Sequence, residues 1–152
     1  MRWTAACLVL IVAGCGAGNG PVAADGNANV KLEAFVRPQG PSNRLSDLRP
    51  AELGTAEAQE FHRTLERAEI TNPDEVRAAL SFVPAADRRG FVFAVAGCAE
   101  DSAELTVEHG TLTARLTGGE NIQCIHANYS LAVFSVGRGS IPPTPTLLTM
   151  PR

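Results

Sequence analysis

The hydrophobic pattern of the chain changes along its length, from one apolar block to helical spacing and then to strict alternation. The block covers residues 3–13. Over residues 30–37 apolar and polar side chains alternate, which predicts a first strand. The apolar face of that strand carries Val30, Leu32, Ala34 and Val36. Pro38 and Gly40 then end it.

A first helix is predicted from Thr55 to about Glu69. Thr55 has a hydroxyl that suits an N-cap, because it can accept a hydrogen bond from a free N–H of the first turn. Phe61, Leu65 and Ala68 recur at helical spacing and should form the buried face.

The sequence indicates the start of a second helix more strongly than that of the first. Asn72 is a suitable N-cap, and Pro73 fits the first helical position, where its missing N–H costs nothing. Two acidic residues follow and favour the positive end of the helix dipole. The expected apolar face consists of Val76, Leu80 and Val83, and Pro84 should end the segment.

From Gly90 onward the pattern has a period of two. Residues 91–97 are apolar on both faces, which predicts a central strand. Residues 103–108 and 111–117 alternate and are joined by His109-Gly110, a pair suited to a tight turn. That turn sets Val107 opposite Leu112, Leu105 opposite Ala114 and Glu104 opposite Arg115. One register therefore pairs apolar residues on one face of the predicted hairpin and opposite charges on the other.

The rest of the chain completes an α+β prediction. Gly118-Gly119 makes a further turn, and residues 129–136 form a last strand. The expected fold is one domain over residues 30–139: a small, mainly antiparallel sheet with a C-terminal meander, two short helices and one disulfide. Residues 140–152 contain four prolines and should form an extended tail without regular pairing.

The beginning of the chain has the features of an export signal. Arg2 is positively charged, and the apolar block is about half of the roughly 20 residues that a membrane-spanning helix needs. The block ends in Val12-Ala13-Gly14-Cys15. This segment resembles the lipobox of bacterial lipoproteins, in which small residues precede a cysteine that receives a diacylglyceryl group.

The resemblance implies that residues 1–14 are removed and that Cys15 becomes a lipidated N-terminus. Several acyl chains on one N-terminus anchor a protein stably. The expected location is the extracytoplasmic face of a cell-envelope membrane, with residues 15–29 as a flexible tether. The alternative is an ordinary signal peptide that is cleaved near residues 21–24.

Export determines how the remaining cysteines are interpreted. Cys7 leaves with the leader, whereas Cys98 and Cys124 lie in the domain and are expected to form a disulfide in an oxidising compartment. The alternative is a metal site that uses both cysteines and His126. It lacks a convincing fourth ligand, so no metal is expected.

Charge and aromatic content exclude several classes of ligand. The chain has a formal net charge of −3. Removing Arg2 with the leader leaves 12 basic and 16 acidic residues, which gives 12 − 16 = −4. Without a clustered basic surface, the chain is not expected to bind nucleic acid. Trp3 also leaves with the leader, so few exposed aromatic side chains remain to stack on sugars or bases.

The sequence contains no recognised catalytic motif. His62 and Glu66 are four apart on the first helix, which indicates an exposed side-chain contact. Glu100 and Asp101 follow Cys98 in a predicted turn and are expected to be solvated. The sequence therefore favours a non-enzymatic binding domain without a cofactor, with an envelope protein as the expected partner.

Two alternative functions remain. The first is an inhibitor or accessory subunit of an envelope enzyme, which would use the proline-rich tail or residues 117–123. The second is a hydrolase with a dispersed site that includes His62 and Glu66.

Overall fold

The computed structural model describes residues 29–40, 42–119, 124 and 128–150. The leader, the lipobox and residues 16–28 of the predicted tether lie outside them. The described part contains two α-helices and seven strands, together with short 3-10 helices at Ser42–Asp47 and Arg138–Ser140. The elements in chain order are β1 (Val30–Val36), β2 (Ala51–Glu52), α1 (Ala56–Arg67), α2 (Pro73–Leu80), β3 (Arg88–Gly97), β4 (Ser102–Glu108), β5 (Thr111–Thr117), β6 (Asn128–Gly137) and β7 (Thr146–Thr149).

These elements form three layers, and the α+β prediction is confirmed. The middle layer is a sheet with the strand order β1-β6-β3-β2. The helices cover one face, where Leu65 and Val76 pack near Val92. A second sheet, β4-β5-β7, covers the other face, where Leu112 joins the cluster around Phe93. Because β3 is covered on both sides, its apolar residues need no polar face, as the sequence predicted.

The predicted hairpin is confirmed pair by pair. Val107 lies opposite Leu112, and Glu104 lies opposite Arg115. Arg115 donates to the Glu104 carboxylate at 2.6 Å. His109 and Gly110 have φ angles of 48° and 82°, as a two-residue turn with two left-handed residues requires.

The predicted meander is wrong in its order of neighbours. β3 pairs with β6 along its whole length, from Arg88↔Gly137 to Gly97↔Asn128. The β4–β5 hairpin leaves this sheet and lies across its face. The physical reason is that β3 and β6 are apolar on both sides, so the apolar face of the hairpin buries more surface by covering them than by extending the sheet.

The tail is also more ordered than predicted. Ile141 is buried in the core, and β7 pairs in parallel with β5, with Thr111 opposite Thr146. The expectation of no regular pairing is therefore wrong. The prolines at 142, 143 and 145 precede β7 and none lies within it, so its backbone N–H groups remain available as donors.

The first strand is present, but its predicted single apolar face is wrong. The register with β6 shifts between Leu32 and Ala34, which marks a β-bulge. Val30, Leu32 and Phe35 consequently face the second sheet, whereas Ala34 and Val36 face the helices. An extra residue reverses the side on which all later side chains lie, and alternation alone does not reveal it.

Glu33 occupies the bulge and holds a polar cluster at the edge of the sheet. Its carboxylate accepts hydrogen bonds from Ser135 Oγ at 2.6 Å and from Lys31 Nζ at 2.8 Å. Burial raises the pKa of Glu33, but these bonds and the charges of Lys31 and Arg88 outweigh burial and lower it. The side chain therefore stays ionised, and it links β1 to β6.

The first helix begins as predicted. Ala58 donates its N–H to Thr55 Oγ1 at 3.4 Å, and Phe61, Leu65 and Ala68 are buried. Neither α-helix in the described part of the chain has the length and hydrophobicity to cross a bilayer.

The second helix also begins at Pro73, but its predicted apolar face is only partly correct. Val76 is buried, whereas Val83 is 83% exposed. The helix ends at Leu80, and a residue before proline prefers an extended conformation, so Val83 cannot continue the helical stripe. Leu80 is partly buried against the same core as predicted, and Ala79 takes the second buried position.

Candidate functional site

A groove of about 250 Å³ lies between α1 and α2. Its apolar lining comes from both helices and from the segment that connects them. Charged and polar side chains line it as well. The lining residues are His62, Leu65, Glu66, Glu69, Ile70, Pro73, Val76 and Arg77. Because binding sites usually combine apolar and polar groups in a concavity, this groove is the candidate site.

The connector between the helices gives the groove its shape. Glu69 has a φ of 52°, a left-handed conformation that favours glycine at the end of a helix. Gly40 packs closely against it, because a Cβ on Gly40 would lie 3.2 Å from the Glu69 carbonyl oxygen. Thr71 also donates its N–H to the Gln39 carbonyl at 2.7 Å. The segment after β1 therefore supports the connector and fixes the angle between the helices.

Contacts with the segment after β1 also explain why the Asn72 side chain does not cap α2 as predicted. Its Oδ1 accepts from the Gln39 N–H at 2.8 Å, and its Nδ2 donates to the Arg37 carbonyl at 2.9 Å. The side chain thus joins the start of α2 to the segment after β1. The Asn72 amide makes these long-range hydrogen bonds in place of a local cap on α2. The sequence pattern can indicate only the local cap.

His62 and Glu66 lie on the α1 side of the groove. His62 Nδ1 and Glu66 Oε1 are 3.8 Å apart, which exceeds hydrogen-bonding distance, and both side chains are exposed. On the α2 side, Arg77 pairs with Asp74 at 2.6 Å. The structure therefore places His62 and Glu66 in the exposed i, i+4 contact that the sequence indicated.

The groove combines buried apolar side chains with exposed charged ones. Leu65 and Val76 lie almost fully buried at its base, and Ile70 is half-buried. Glu66 and Glu69 are exposed acidic residues among those that line the groove. Within the described ranges, no three His, Cys, Asp or Glu side chains come together in a way that could hold a metal ion.

A second feature lies at the end of the domain where β3 finishes. Cys98 and Cys124 form a disulfide with their Cα atoms 5.6 Å apart, as predicted. Both thiols of the alternative metal site are used in this bond. His126, the third member of that site, lies outside the described residues.

The environment of Glu100 differs from the one that the sequence predicted. It is only 2% exposed, and its carboxylate accepts the Cys98 N–H at 2.6 Å. The Arg37 guanidinium donates to the Glu100 carbonyl oxygen. The expectation that Glu100 is solvated is therefore wrong, because the turn after β3 folds inward. Close packing there needs glycine, since a side chain on Gly97 would overlap Leu116 and Glu100. Asp101 is exposed, as predicted.

Arg89 is an important residue that the sequence pattern did not reveal. It is 9% exposed and donates two hydrogen bonds to the Glu52 carboxylate, at 2.7 and 2.5 Å. It also donates to the carbonyls of Pro142 and Pro143, at 2.8 and 2.9 Å. Bonding to Glu52 raises the pKa of Arg89 despite its burial. Arg89 therefore joins β2, β3 and the tail.

The remaining sequence-predicted positions are only partly described. Cys15 and residues 120–123 lie outside the described residues, and Thr117 ends β5. The tail is held against the domain by Arg89 and β7 as far as Met150. Comparisons with protein-family models, curated proteins and solved structures found no significant match for this chain.

Proposed function

We propose that this chain is a lipoprotein of the cell envelope, anchored through Cys15 on the extracytoplasmic face of a membrane. In this proposal its folded domain is a non-enzymatic module that binds a partner protein in the groove between α1 and α2. The disulfide between Cys98 and Cys124 is the observation that carries the location. Such bonds persist in oxidising compartments and are rare in the cytosol.

The position of the groove relative to the chain entry supports the binding role. β1 begins beside the end of β6, with Val30 opposite Val136, so the tether enters the domain there. The seven residues of β1 span about 23 Å toward the opposite end. Gln39, just beyond that end, contacts the α1–α2 connector. The connector side of the groove thus lies at the end of β1 opposite the point where the tether enters, where the tether leaves it open to a partner.

The anchor is tested by substituting each leader-region cysteine separately. We expect Cys15→Ala to abolish incorporation of labelled palmitate and to prevent normal processing and membrane retention. Cys7→Ala is the matched control and should leave all three unchanged, because that residue precedes the cleavage site. Labelling and membrane retention that survive in Cys15→Ala would contradict the proposal, as would loss of both in Cys7→Ala.

The binding role is tested with a photo-crosslinking amino acid in the full, processed chain. At Glu66, beside the groove, we expect one reproducible adduct with another envelope protein in intact cells. Asp87 is exposed at the end of the domain where the tether enters and provides the control position, where this adduct should be missing. The absence of an adduct at Glu66, or the same adduct at both positions, would contradict a partner site in this groove.

A further inference from the structure

The last strand, β7, lies at the edge of the second sheet. Its inner side is bonded to β5: Thr146 donates its N–H to the Gly110 carbonyl at 3.0 Å, and Met150 donates to the Ala114 carbonyl at 2.9 Å. Because backbone groups alternate in direction along a strand, those of Leu147 and Thr149 point to the other side. No described strand pairs with that side.

The exposed side chains of β7 are unusual for such an edge. Leu148 is 50% exposed and Met150, directly after the strand, is 56% exposed. Together with Val83 they are the exposed large hydrophobic side chains of the described chain. β7 is short and Pro145 precedes it, which are two of the usual protections of an edge strand, but the segment Thr146–Met150 itself contains no charge and no proline.

We propose that β7 pairs with β7 of a second copy of this chain, antiparallel, with Leu148 opposite Leu148 on the two-fold axis. In this register each Leu147 faces Thr149 of the other copy, and the two residues exchange backbone hydrogen bonds. Leu148 then occupies a non-hydrogen-bonded pair, in which side chains are closest. The two three-stranded sheets become one continuous sheet.

The pattern of the strand favours a second copy over an unrelated strand. Antiparallel pairing about Leu148 also sets Thr146 opposite Met150, so each exposed apolar side chain meets an apolar or methyl-bearing side chain. A two-fold interface uses the same patch twice, and an uncharged patch brings no like charges together. All three of these residues lie on one face, because they are two apart along the strand.

This inference does not rest on the proposed anchor or on the groove. A five-residue strand pair buries less area than a standard protein interface, so we expect weak, reversible association in solution. Lipid anchors would strengthen it by concentrating both copies in one membrane, without any new contact.

The test is disulfide crosslinking of the full chain at high protein concentration under mild oxidation. Leu148→Cys should give a covalent homodimer, because the paired Cβ atoms lie within about 5.5 Å, close to the range that a disulfide bridges. Val83→Cys is the matched control: it is more exposed but lies outside any strand, so it should stay at the background level of the unsubstituted chain. Equal dimer yields for the two variants, or a Leu148→Cys adduct with a different protein, would overturn the proposal.

The register has its own test. Thr146→Cys alone and Met150→Cys alone should give no homodimer, because each residue lies far from its own copy across the axis. A mixture of the two variants should give a crosslinked heterodimer. Homodimers of Thr146→Cys would instead show a shifted or parallel arrangement and would overturn the proposed pairing.

Discussion

Alanine at both Cys98 and Cys124 should lower the free energy of unfolding by about 3.5 kcal/mol at 25 °C. The two residues are 26 positions apart, and the loop that their bond closes contains the whole β4–β5 hairpin. By the chain-entropy account, cross-linking restricts the unfolded chain, and the effect grows slowly with loop length. A loss of this size is a large part of the stability of a domain this small.

The single substitutions test whether the two cysteines stabilise the domain through one shared bond. Either Cys98→Ala or Cys124→Ala already removes the bond, so each should cost nearly as much as the double variant when unfolding is followed in urea. The coupling energy in the cycle should therefore be about 3 kcal/mol, near the upper end for interacting residues. Additive costs would mean that the two side chains stabilise the domain only by their separate packing.

Methionine at Arg89 should lower the free energy of unfolding by about 3 kcal/mol, because breaking a largely buried ion pair leaves the other charge uncompensated. Glu52 keeps part of its solvent contact, which limits the loss. The carbonyls of Pro142 and Pro143 also lose their donor. We therefore expect faster hydrogen exchange at the amides of β7, since the tail that leads into it is released.

Arg115 provides the matched control for this prediction. Arg115 donates two hydrogen bonds to Glu104, but both side chains are exposed. Arg115→Met should therefore cost about 1 kcal/mol or less, as is usual for surface pairs. Equal losses in Arg89→Met and Arg115→Met, with unchanged exchange in β7, would contradict the role assigned to Arg89.

Local patterns predicted the parts of this fold that depend on neighbouring residues. The hairpin was predictable because one turn, His109-Gly110, satisfies the apolar and the charged faces in the same register. The start of α1 was predictable for a similar reason, because the Thr55 cap and the spacing of the buried residues indicate the same helix. The disulfide followed from the expectation of export, which left Cys98 and Cys124 as natural partners.

The parts that were not predicted depend on contacts distant in sequence. The bulge at Glu33 is defined only by pairing with β6, about 100 residues later in the chain. The position of the hairpin across β3 is determined by which surface buries most apolar area. The pairing of β7 with β5 likewise brings together segments that no local periodicity connects.

The candidate site was predictable only in part. Spacing on one helix placed His62 beside Glu66, and the structure agrees. The groove itself depends on the angle between α1 and α2, which contacts from the segment after β1 determine. Glu100 and Arg89 are polar residues that looked solvated or unremarkable in sequence. Their burial depends on partners such as Arg37 and Glu52, which lie far away in the chain.

The most direct test of the proposed anchored protein is the intact mass of the chain extracted from membranes. The proposal predicts a chain of 152 − 14 = 138 residues that begins at Cys15 and carries the added mass of a diacylglyceryl group. An unmodified chain that begins at Met1, or one cleaved near residues 21–24 without a lipid, would contradict it.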